Sequence, residues 1–130
     1  MSKYFFTILV LLFSACSSLN TSPCFLQATY DSGSSSSSFA FRADGTFEWT
    51  NGSGLGVFQT EGRYELKDRI ITLDKIGFDK VIKTNRLLLT SIHPNSHQVG
   101  KYVVQVDDQN KVIDSMFIFT VYVDNRNLFK

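Results

Sequence analysis

Phe39-Ala40-Phe41-Arg42-Ala43-Asp44-Gly45-Thr46-Phe47-Glu48-Trp49-Thr50 reads as a β-hairpin, and its reading decides the fold. Both arms alternate apolar with polar or small residues, the period of a half-buried strand. A two-residue Asp44-Gly45 turn would set Phe39 and Phe41 on one face and Phe47 and Trp49 on the other. A three-residue loop, Ala43-Asp44-Gly45 with Gly45 left-handed, instead pairs Arg42 with Thr46, Phe41 with Phe47 and Phe39 with Trp49. All four rings then share one side, and each cross-strand pair adds about 0.5 kcal/mol beyond burial. A one-residue slip would invert every side chain, so the three-residue loop is expected.

Further hairpins extend this one in both directions. Upstream, residues 25–30 read as a first strand, followed by a flexible serine-rich connection over 31–38. Downstream, Asn51-Gly52-Ser53-Gly54-Leu55-Gly56 reads as a glycine loop. Residues 57–66 then form a long strand with Phe58, Tyr64 and Leu66 on one parity and Gln59, Glu61, Arg63 and Glu65 on the other. Gly62 inside it marks a bulge or a tight bend. An even loop around Lys67-Asp68 pairs Tyr64 with Ile71 and Gly62 with Leu73. A third hairpin is expected from 80–83 and 86–91 around Asn85, pairing Ile82 with Leu89 and leaving Val81 and Leu88 on the opposite side. Residues 101–106 carry Tyr102, Val104 and Val106 on one side, and 116–123 form the most apolar strand of the domain. No stretch after the leader has a convincing amphipathic helical period. The expected fold is all-β: an antiparallel meander of eight to nine strands, closed into a small barrel or a strongly curved half-barrel that hides its edges.

The first fifteen residues have the form of an export signal. Lys3 supplies the positive start, and residues 4–13 the apolar stretch, which at about 15 Å of helix is half a bilayer core. Leu12-Phe13-Ser14-Ala15-Cys16 resembles the lipobox of bacterial lipoproteins. The resemblance implies diacylglycerol on the Cys16 thiol, cleavage before Cys16 and an acylated new amine. An ordinary secretory signal cut near Ala15 is the alternative. The expected organisation is a signal peptide over 1–15, a lipidated Cys16 with its tether over 16–24, and a β-domain over 25–130. The lipid on Cys16 makes the membrane the first partner, since two or three acyl chains anchor a protein stably. Ser17, rather than Asp, after Cys16 implies an outer-membrane address in the cell envelope. With Cys16 acylated, Cys24 is a lone thiol.

The composition narrows the function. Beyond the leader, 12 basic residues (13 less Lys3) balance 12 acidic ones, so no basic excess supports nucleic-acid binding. The glycines at 52, 54 and 56 precede a strand, whereas a phosphate cradle needs a following helix. His93 and His97 share a Pro-containing loop without a third ligand, and Asp107-Asp108 lacks calcium-loop spacing, so no metal or cofactor is expected. No placed acid, base and nucleophile point to an enzyme.

The run Phe41…Asp44-Gly45-Thr46-Phe47, then Gly62-Arg63-Tyr64, then Ile70-Ile71-Thr72-Leu73 is similar to small lipocalin-like bacterial lipoproteins. That resemblance implies a barrel-like domain on a lipid anchor and no catalytic residue. Binding is therefore the expected activity, of a small apolar ligand or an envelope partner. Phe39, Phe41, Phe47, Trp49 and Tyr64 are the candidate lining residues. The other expectation is a structural or assembly accessory that docks a partner protein through an apolar sheet surface. An internal cavity would favour the first, and a filled core with an apolar surface patch the second.

Overall fold

The computed structural model describes residues 22–53, 56–113 and 116–129; the leader and Cys16 lie outside them. Eight strands follow in order: β1 (Cys24–Asp31), β2 (Ser35–Arg42), β3 (Thr46–Ser53), β4 (Gly56–Lys67), β5 (Ile70–Leu73), β6 (Arg86–Ile92), β7 (Val99–Gln105) and β8 (Phe119–Asp124). Each pairs antiparallel with the next, and β8 returns to β1. The meander is thus a closed up-and-down barrel, the architecture lipocalins share, rather than an open half-barrel.

The β2–β3 hairpin has the expected register, Phe39 opposite Trp49 and Phe41 opposite Phe47. Gly45 is left-handed at φ 87° and donates its N–H to Arg42 O. Asp44 Oδ1 accepts from both the N–H and the hydroxyl of Thr46, which fixes the turn. The serine run departs from expectation. Ser35–Ser38 lie in β2, paired with Thr50–Ser53, and Ser37 is buried. Asn51, Gly52, Ser53 and Gly56 likewise belong to paired strands rather than to a loop. The ladder defines these strands, and their small side chains merely fit it.

In β4 the inward parity holds, but the partners move by two residues. Tyr64 faces Leu73 and Leu66 faces Ile71, because the turn is Asp68-Arg69 with Asp68 left-handed at φ 58°. Gly62 makes no bulge, and the β3–β4 register runs unbroken. A Cβ at Gly62 would stand 2.6 Å from the Phe47 ring and 2.6 Å from Asp74 Oδ1. The glycine is the floor on which Phe47 lies.

The third hairpin is absent. β6 pairs with β5 instead, and residues 74–85 form a connection across one barrel mouth. Ile82 turns into the core and Val81 packs against it rather than facing outward. In β7 the more apolar side, Tyr102, Val104 and Val106, is the outer one; Val103 and Gln105 face in, opposite Leu89 and Leu87. The outer side is buried nonetheless. After β7 the chain turns back, bridging Val106 to Val112 and bonding Ile113 N–H to Gln105 O. The final strand is shorter than the apolar run, beginning at Phe119.

Candidate functional site

The candidate lining residues do come together, as packing. Phe39, Phe41, Phe47 and Trp49 are 0–1% exposed. Phe39 is the hub, with ring centroids 4.6 Å from Trp49, 5.4 Å from Phe41, 6.1 Å from Phe47 and 5.4 Å from Phe119 of β8. Tyr64 closes the group beneath Phe41 at 5.1 Å and donates its hydroxyl to Arg42 O at 2.6 Å. Burial pushes that hydroxyl above its ordinary pKa against the pull of Arg126. Burying such rings contributes about 1.5–3 kcal/mol each, so they are the main source of barrel stability.

The connection 74–85 plugs the mouth above these rings. Phe78 packs tilted against Phe47 and edge-on to Trp49, both at 6.0 Å. Asp79 locks it: its Oδ2 accepts from Trp49 Nε1 at 2.9 Å and Asn51 Nδ2 at 2.8 Å, and its Oδ1 from Val81 N–H. Burial alone would raise the Asp79 pKa. The bonds from Asn51, Val81, Trp49 and the Lys80 backbone outweigh it and hold the carboxyl below its usual value. Gln105 is the second clasp. Fully buried, it donates Nε2 to Val81 O at 2.8 Å and accepts the Lys83 N–H at 2.7 Å, so its amide is satisfied on both sides.

The opposite mouth is closed by the chain's last residues. Arg126 lies 4.0 Å over the Phe25 ring, and Leu128 and Phe129 pack against the core. Asp124 accepts Leu128 N–H and pairs with Lys101 at 3.1 Å. The polar residues around the hydrophobic pair are thus part of a second stopper.

Two concavities among the described residues open at the surface. One of about 550 Å³ is lined by Arg63, Tyr64, Glu65, Thr72, Leu73 and Asp74. Another of about 340 Å³ lies among Asp31, Gly33, Ser34, Ser35, Ser36 and Gly52. His93 orders its own loop: Nδ1 accepts from Asn95 and Ser96 N–H, and the ring stands edge-on to Tyr102 at 5.0 Å. Asp107 Oδ1 likewise accepts from Gln109 and Lys111 N–H, which lowers its pKa. Both motifs are turn devices. Cys24 is a free thiol that donates to Leu26 O. Among the described residues no cluster of three His, Cys, Asp or Glu is placed to hold a metal.

The plug residues Phe78, Asp79 and Gln105 escaped the sequence reading. A Gln at inward parity between Val103 and the apolar outer face of β7 was the available signal. Apolar surface does remain exposed on the far rim, with Phe58 68% and Ile76 61% accessible beside Val57. No protein-family model, curated protein or solved structure matches this chain.

Proposed function

We propose that the chain is a cell-envelope protein held to the membrane by lipid on Cys16, and that its barrel is a docking module for a partner protein rather than a carrier. The observation that carries this reading is the filled interior: the rings of Phe39, Phe41, Phe47, Trp49 and Phe119 occupy the barrel, and both mouths are stoppered. A carried ligand would need Phe78 and Ile82 to leave first.

The docking surface is the far rim of β4. Tyr64 directs its N–H across β3 to Gly45 O, so the alternation sends the backbone groups of Arg63, Glu61, Gln59 and Val57 to the other edge. Asp74 satisfies Arg63 on both its groups, and Lys75 Nζ takes Glu61 O. Beyond that point no described strand pairs with β4. Exposed Val57 and Phe58 stand beside a free edge, the combination that accepts an added strand.

Native mass spectrometry of the full-length protein, extracted from membranes in mild detergent, tests this. The expected species is the chain from Cys16 with acyl groups and no releasable small molecule, in a larger assembly that Phe58→Lys reduces to the single chain. A releasable mass of a few hundred daltons per barrel would return the carrier reading, and an unmodified chain would remove the anchor.

A further inference from the structure

Antiparallel order puts the start of β1, the β2–β3 and β4–β5 turns, the β6–β7 loop and the end of β8 at one end of the barrel. The chain from Cys16 enters here, where Pro23 O accepts the Ala43 N–H. Seven residues, 17–23, separate Cys16 from Cys24, and the eight steps between them reach no more than about 29 Å fully extended. An anchor on Cys16 therefore keeps this end within that distance of the bilayer.

Two large apolar side chains face water at this end. Ile92 and Val99 pair across the base of the β6–β7 loop, 51% and 86% exposed. Tyr122, also exposed, is on β8, the strand between β7 and the tethered β1. Lys67, Arg69, Lys101 and Arg126 are exposed on the same side. The acids there are Asp44, Glu65, Asp68 and Asp124, the last paired with Lys101.

We infer that this end is a membrane-contact surface: Ile92 and Val99 enter the headgroup–acyl boundary of a phospholipid bilayer. Tyr122 lies at the interface and the four cations lie among anionic headgroups. The occupant is lipid rather than protein because the tether holds this end within about 29 Å of the bilayer, where lipid is at high effective concentration. The inference takes its orientation from the Cys16 anchor proposed above. It adds that the barrel itself touches the bilayer.

The test uses the full-length acylated protein in vesicles of phosphatidylethanolamine and phosphatidylglycerol with brominated acyl chains. The wild type, whose single Trp49 is buried, sets the baseline. Val99→Trp should lose about twofold more of its added emission than Phe58→Trp, which reports the far rim. Equal emission losses at the two positions overturn the inference. Cys16→Ser separates the two readings. If native Cys16 carries no acyl group, quenching of Val99→Trp in the unanchored chain still supports the surface. If anchored and unanchored chains both leave Val99→Trp unquenched, the surface is lost while the anchor stands.

Discussion

Asp79 carries more of the site's logic than any ring does. Its carboxylate is the acceptor for Trp49, Asn51 and the Val81 N–H, so Asp79→Ala leaves three donors unpaired and should cost about 1–3 kcal/mol in chemical denaturation. The charge gives this a pH signature. The folded pKa is depressed, so on acidification the unfolded chain takes up the proton first. The stabilisation is complete above the unfolded value of about 3.9 and is lost as pH falls through the lower folded value. Trp49 emission should shift red on titration below about pH 4, and Asp79→Asn should flatten that limb. Gly62 makes the opposite demand, for no side chain at all. Gly62→Ala would meet the Phe47 ring and Asp74 at 2.6 Å and should destabilise by about 1–3 kcal/mol, whereas Gly33→Ala meets nothing and reports only its positive φ. Paired melting curves distinguish the two.

Among the elements, the plug is the one held by side chains instead of by a ladder. Gln105→Ala removes both clasp bonds, so amide exchange at Val81, Ile82 and Lys83 should accelerate while β2 and β3 remain protected. Uniform acceleration across the barrel would mean that the plug has no independent opening. The plug also marks the limit of what the sequence declares. The β2–β3 hairpin was legible to the residue, because Asp44-Gly45 turn chemistry and four alternating aromatics demand one register. In the β4–β5 hairpin the faces were legible and the partners were not, since Asp68 rather than Lys67 opens the turn. Residues 80–83 look like a strand because Val81 and Ile82 are β-branched, yet their backbone partners are the amide atoms of Gln105, a contact across 24 and 22 positions that no local pattern encodes. The serines of β2 failed in the reverse sense, their polarity concealing a strand that has neighbours on both edges. The five candidate lining residues pack together, but alternation reports which side a ring faces and not whether room is left between rings.

For the whole molecule, the closed meander sets a distance and a direction. β3 and β4 pair from Thr46↔Arg63 to Ser53↔Gly56, about 24 Å of ladder, with the exposed Phe58 near its far limit and the end where β1 starts at the other. On the proposed reading a far-rim partner and a near-end bilayer meet opposite ends of the barrel, so Phe58→Lys should abolish assembly without changing bilayer contact, and Val99→Asp the reverse; native mass spectrometry reads the assembly, and quenching of a Tyr122→Trp reporter by brominated lipid reads the contact. The position of β1 has a mechanical consequence. It is paired with β2 at seven residues and with β8 at four. On the proposed anchor, tension between lipid and a partner on β4 would reach the barrel through β1, whose two ladders share a load that an edge strand would carry on one.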